Sequence, residues 1–409
     1  MSDRDARITR RGLLKAGGLA TLGAALGVSR IAAAAPAPAP PVADRKVPRR
    51  RLGRAGIDLP VLGLGLPFDV STYQLFLKQA LKWGVDLWLT GYDYDGGNAQ
   101  RGIGRYFARF PADRDRVFLA TNYARGPGDL QASLDEATRE SLRRMATDRL
   151  DLLLYSVGDD EAEPPAGLVP WAERARREGR VRHVGLAAHH HMDRYLAWSA
   201  AHPGIDVVLC CFNYRLARDR VLVEALAAAE KAGVGVLAMK TRALGPSPEG
   251  GQADQDLQEH FARKGETVDQ ARLRAVWANP SVRSAVVTLA SIEALGAMVQ
   301  ATGEPPGLSL EDARALAMHD ERTRGGFCAG CTHHCQGAVD GCVPIGDVLR
   351  HLMYGNAYGE RDRAARWFAA LPGTVRAALS GTDFSAAEAC CPRGVPIARL
   401  MREAASRWC

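Results

Sequence analysis

Between residues 60 and 290 the chain alternates short apolar runs with amphipathic stretches, and this alternation constrains the fold more than any other feature. The runs are "LPVLGLGL", "GVDLWLTG", "RVFLATN", "LDLLLYS", "RVRHVGLAA", "DVVLCCFN", "VGVLAMKT" and "SAVVTLA". Between them lie helical patterns such as "STYQLFLKQALKW", "LQASLDEATRESLRRM", "GLVPWAERARREG" and "DRVLVEALAAAEKAG". Strands that are apolar along their whole length belong in a parallel sheet covered on both faces, with helices as crossovers. Eight of them over roughly 250 residues predict a closed (β/α)8 barrel rather than an open doubly wound sheet. No GxGxxG follows the first run, which weakens the dinucleotide-fold alternative further. In such a barrel the chemistry sits at the C-terminal ends of the strands, so those positions are the ones to inspect.

Either side of the barrel the composition changes. The N-terminal "TRRGLLKAGGLATLGAALGV" has Arg10 and Arg11 side by side, then a Gly/Ala-rich, weakly apolar run and the small residues "AAAA". That order is an export signal over residues 1–35, and its arginine pair resembles a twin-arginine (Tat) signal. Lys15 and several glycines make the run a poor membrane span, so no stable span is expected after cleavage. The predicted product is periplasmic or exported, with the Tat machinery as a partner. A Pro/Ala-rich linker, "APAPAPPVA", occupies 36–48. The net charge of +7 is concentrated in Arg4 to Arg11 and Arg45 to Arg54, which reads as a solvated basic surface and not a nucleic-acid groove.

Several spaced motifs carry a family resemblance. "RLGRAGIDLPVLGLG", "GGNAQRGIGRYF", "SLRRMATDRLDLL", "REGRVRHVGLAAHH" and "AGVGVLAMKT" together resemble the aldo/keto reductases, in particular exported members with a cysteine-rich tail. The resemblance assigns 49–303 to the barrel and implies NADP(H)-dependent carbonyl reduction by an Asp/Tyr/Lys/His tetrad. Carried over position by position, Tyr94 stands on the catalytic Tyr, but Leu89 replaces the Asp, Asn122 the Lys and Ser156 the His. A phenol of ordinary pKa near 10 is a good acid at neutral pH only beside a cation, and this tetrad has lost the one it should have. Conventional turnover is therefore expected to be weak or absent. Phe212 and Asn213 match the family's "YN" after the sixth strand, while Leu209 stands where a Gln usually holds the nicotinamide. The phosphate-clamping pattern after the last strand is poorly matched by "VVTLASIEALGAM", which puts NADP(H) binding in question. Lys240 at the end of the seventh run and His189, first of three adjacent histidines after the fifth, are the remaining candidates for cofactor or substrate contact.

Seven of nine cysteines crowd after residue 327, a distribution unlike a disulfide framework. The phrase "VPI" before an amphipathic helix occurs at 343 and again at 395, which looks like a duplicated ferredoxin-type unit in the tail, 304–409. In two-cluster ferredoxins the fourth Cys of each run ligates the other run's cluster. The first run keeps Cys328, Cys331 and Cys335 but has Val339 and Asp340 where its Cys-Pro would stand. The second keeps Cys391–Pro392 but has Gly381, Phe384 and Ala387 in its other slots. One set survives for a [4Fe–4S] cluster: Cys328, Cys331, Cys335 and Cys391, in preference to the local set ending in Cys342. Exported family members with "DxSxAExxCP" near the end resemble this arrangement. A zinc ion held by four thiolates, or by three with His333 or His334, and a pair of disulfides stay open as alternatives. Cys342, Cys390 and Cys409 are left spare. The sequence thus predicts an exported oxidoreductase-like barrel with a cluster, a redox partner and an unidentified small-molecule substrate. The competing reading is a non-catalytic ligand-binding protein whose tail is stapled by metal.

Overall fold

The computed structural model describes residues 45–124, 128–158, 163–247, 251–303, 307–339 and 343–408. The signal, most of the linker, Cys342 and Cys409 lie outside the described residues. Ten strands are present: β1 Arg49–Leu52, β2 Ile57–Pro60, β3 Leu62–Gly65, β4 Leu87–Gly91, β5 Phe118–Ala124, β6 Leu150–Ser156, β7 Val181–Ala188, β8 Val207–Cys211, β9 Gly235–Met239 and β10 Val282–Val287. Strands β3 to β10 close into a parallel barrel, β10 pairing with β3. This is the (β/α)8 architecture that the eight apolar runs predict.

Period-two alternation sorts the strand residues. Leu87, Leu89, Ala120, Leu152, Leu154, Ala187, Val207, Leu209 and Leu237 fill the barrel interior. Their neighbours Trp88, Leu119, Leu153, Leu186, Val208 and Val236 point outward into the layer beneath the helices. Both faces are apolar because both are covered, which explains the unbroken apolar runs.

One predicted run does two jobs. "LPVLGLGL" breaks at Val61, whose N–H donates to the Pro48 carbonyl (2.9 Å) and whose carbonyl accepts from Trp277 Nε1 (2.7 Å). The residues before the break form β2, which pairs with β1 as an antiparallel hairpin. Leu52 and Leu59 of that hairpin are fully buried among the interior residues and plug the barrel.

After the barrel, the helix Leu310–Thr323 packs onto it through buried polar contacts. His319 bridges Tyr214 Oη and Asp254 Oδ1 at 2.8 Å each, and Arg215 meets Asp320 at 3.1 Å. A separate apolar core then gathers Val343, Ile345, Leu349, Phe368, Phe384, Ile397, Leu400 and Met401. Its first and last helices, Ile345–Asn356 and Ile397–Trp408, each start at the "VPI" phrase, with the Val and Ile buried both times. Among the described residues, no helix is long and apolar enough to cross a membrane.

Candidate functional site

A cavity of about 350 Å³ opens at the C-terminal ends of the strands. Leu89, Tyr94, Asn122, His189, Leu209 and Lys240 line it on the barrel side. Four residues from the tail complete its wall: Tyr354, Tyr358, Glu360 and Arg363. Its size is that of a small-ligand pocket.

Tyr94 has a neutral neighbour, the Asn122 Nδ2 amide 3.3 Å from its phenol oxygen. Leu89 is buried with its side chain inward, 4 % exposed, so the wall there is hydrocarbon. Ser156 ends β6, half-buried and away from the cavity lining. Phe212 is fully buried in the outer packing layer. Asn213 braces the loop after β8: its Nδ2 donates to the Lys240 carbonyl (3.2 Å), and its Oδ1 accepts from the Arg215 and Leu216 N–H groups (3.1 and 3.2 Å).

Lys240 is the cation of the site. Its backbone takes a left-handed φ of +57°, uncommon for a residue with a side chain, and the Asn213 amide holds its carbonyl. Its ammonium lies 4.2 Å from the Tyr354 ring centre and 5.1 Å from that of Tyr358. The Arg363 guanidinium lies 3.8 Å from the Tyr354 ring centre and 5.5 Å from that of Tyr94. Arg363 is neutralised by Glu360 (2.7 Å) and Arg242 by Asp269 (3.1 Å). Burial opposes the Lys240 charge, but the phenols of Tyr354 and Tyr358 favour it more, and its pKa is raised.

The three histidines after β7 fasten the tail to the barrel. His189 Nε2 stands 3.4 Å from Tyr354 Oη. Gly346 lies against the His190 ring, where an added Cβ would come within 2.8 Å. The His191 N–H donates to the Gly330 carbonyl (3.2 Å), and its Nε2 meets Thr332 Oγ1 (2.8 Å). Burial, then the cations Arg350 and Lys240, hold His189 neutral.

Cys328, Cys331, Cys335 and Cys391 line one small cavity in the tail. The Val395 N–H donates to Cys391 Sγ at 3.4 Å. All seven described cysteines are unpaired, and Cys390 is exposed and points away from the shared cavity lining. Among the described residues, no three His, Cys, Asp or Glu are grouped to hold one metal ion. Thiolates around a single zinc would stand about 3.8 Å apart, given Zn–S bonds of about 2.3 Å. A second cavity joins this site to the mouth: Cys328, Ala329 and Leu349 form one end, His189 and Lys240 the other.

The family model for the aldo/keto reductases matches residues 63–306. The chain belongs to the aldo/keto reductase family. It is 22% identical over 292 residues to L-galactose dehydrogenase of Arabidopsis thaliana, covering 65% of this chain and 91% of that one. The fold is similar to the holo form of an aldo-keto reductase from Bacillus halodurans, with a TM-score of 0.54 and 20% identity over 67% of this chain and 96% of that one. The family match ends before the tail, so Tyr354, Tyr358 and Arg363 lie outside the aldo/keto reductase segment while lining its mouth. Sequence reasoning missed these three. The available signal was the pair of tyrosines around the end of the helix Ile345–Asn356, Tyr354 inside it and Tyr358 two residues past Asn356, just before the charged "GERDR".

Proposed function

We propose that this chain is an exported aldo/keto-reductase-type oxidoreductase that holds one [4Fe–4S] cluster on Cys328, Cys331, Cys335 and Cys391 and reacts a small molecule at the barrel mouth. The observation that carries it is the single cavity shared by three cysteines of one run and one of another, adjoining the cavity that leads to Lys240 and His189. The donor set is of the kind iron–sulfur clusters use: four thiols lining one cavity, with a backbone N–H on one sulfur. When bound, such a cluster supplies one-electron transfer. The tail packs its apolar core of Val343, Ile345 and Leu349 against the cysteine run.

The tetrad is degenerate in this reading. Leu89 offers no carboxylate and Asn122 no cation to Tyr94, so NADPH-driven reduction of simple carbonyls is expected to be feeble. Anaerobic purification with iron, sulfide and zinc analysis, and EPR before and after dithionite, tests the cluster. About four iron and four sulfide per chain are expected. Cys391→Ser should lose them and Cys390→Ser keep them. Zinc without iron, or dependence on Cys390 in place of Cys391, would overturn the assignment. Vigorous NADPH turnover by the wild-type protein would overturn the degenerate tetrad.

A further inference from the structure

The tail does more at the mouth than close it. Tyr354 is fully buried, yet lines the cavity, and two cations lie against its ring: Lys240 at 4.2 Å and Arg363 at 3.8 Å from its centre. Tyr94, the family tyrosine, has the neutral Asn122 amide at its oxygen. The cation that a phenol needs to act as an acid near neutral pH is therefore beside Tyr354. Glu360 balances Arg363 and Asp269 balances Arg242, whereas the groups that most favour the Lys240 charge are phenols. The cavity thus suits an oxygen that carries negative charge.

We propose that Tyr354 and Lys240 form the acid–base pair of this site, acting on an oxygen of a small hydroxyl- or carbonyl-bearing molecule bound at the barrel mouth. In one direction the substrate O–H bond breaks and a Tyr354 O–H bond forms on the phenolate. The electron pair stays on the substrate oxygen, whose charge Lys240 stabilises. In the other direction the Tyr354 phenol returns that proton to an alkoxide or enolate. No electrons are gained or lost in either step. This rests on the reading of the mouth as the reaction site and does not depend on the cluster.

The surroundings of Tyr354 agree. Burial alone would raise its pKa, but Lys240, then Arg363 and Arg350, outweigh it and bring the phenol down to about 8. The other groups facing it are His189 from the end of β7 at 3.4 Å, His351 of its own helix with its ring centre at 5.4 Å, and Tyr358 just beyond that helix at 6.3 Å. Burial and then the nearby cations keep His189 and His351 neutral, so neither adds a charge beside the phenol.

The test uses the full-length protein as purified. Ultraviolet difference titration of wild type against Tyr354→Phe should show one phenol ionising with a midpoint near pH 8. In Lys240→Met that midpoint should rise by one unit or more, a roughly tenfold or greater loss in the ionisation constant. The probe 4-nitrophenol, whose colour reports its anion, should bind wild type as the anion and bind either variant roughly tenfold more weakly. A Tyr354 midpoint at or above an ordinary phenol's, no binding of 4-nitrophenol to wild type, or equal binding by the variants overturns the proposal. If Tyr354→Phe fails to fold, the Lys240→Met titration decides. Iron analysis of the same samples separates the two readings: loss of iron from the assignment leaves this pair standing, and the reverse also holds.

Discussion

The joint between the cysteine loop and the barrel can be tested with three glycines. Gly330, between Cys328 and Cys331, has φ +81°, and an added Cβ would stand 2.6 Å from the His189 carbonyl oxygen. Gly394 has φ +67° but nothing within 4 Å of that position. Gly326 has neither the positive φ nor a neighbour. A left-handed φ costs an ordinary L-residue about 1–2 kcal/mol. At Gly330 the backbone clash also displaces the loop and breaks the bond from the His191 N–H to its carbonyl, a further loss of about 1 kcal/mol. Gly330→Ala should therefore open the joint by about 2–3 kcal/mol, Gly394→Ala should cost about 1–2 kcal/mol locally, and Gly326→Ala should stay within about 0.5 kcal/mol of wild type. Amide hydrogen exchange at His191 is the assay. Its protection should fall roughly 30- to 140-fold in Gly330→Ala, at tenfold per 1.4 kcal/mol, and remain unchanged in the other two. Protection at His191 that survives Gly330→Ala would refute the contact as the hinge between the two parts.

Two further perturbations probe the frame around the site. Leu52→Ala removes a fully buried plug residue and should cost about 2–5 kcal/mol in urea unfolding; a loss below about 1 kcal/mol would show that the hairpin does not pack the barrel. Asp312 gives a pH signature: burial opposes its charge, but Lys264, His260 and Ser309 outweigh that and hold its pKa at about 2. A depressed carboxyl stabilises the fold above its unfolded pKa of about 3.9, and the contribution is lost as pH falls toward 2. Asp312→Asn should therefore melt lower than wild type at neutral pH, with the gap closing in acid; a gap that persists below that window would contradict the assignment.

The barrel was legible because each strand is apolar on both faces and each crossover keeps a helical period. The plug hairpin was not, since "RRRL" and "IDLP" are four residues each and the second runs without a break into β3. Tyr94 and Asn122 were found through the family resemblance, and His189 and Lys240 because strand ends fix where a barrel's side chains converge. Tyr354, Tyr358 and Arg363 were out of reach for a different reason. Helical spacing says which residues share a face, but not which distant surface that face will meet. The position of Cys391 with the first three cysteines was accessible only because the tail repeats its own phrase.

That the mouth is walled by two segments so far apart in the chain has a consequence for how such a protein can diversify. The strands supply Lys240 and His189, while the partners that set their chemistry come from beyond residue 307. A change of tail alone could therefore give the same barrel a different acid, a different charge and a different substrate. By the same logic, a version cut off after the barrel would be a poor stand-in for the whole chain, because it would lack the tail's side of its own pocket.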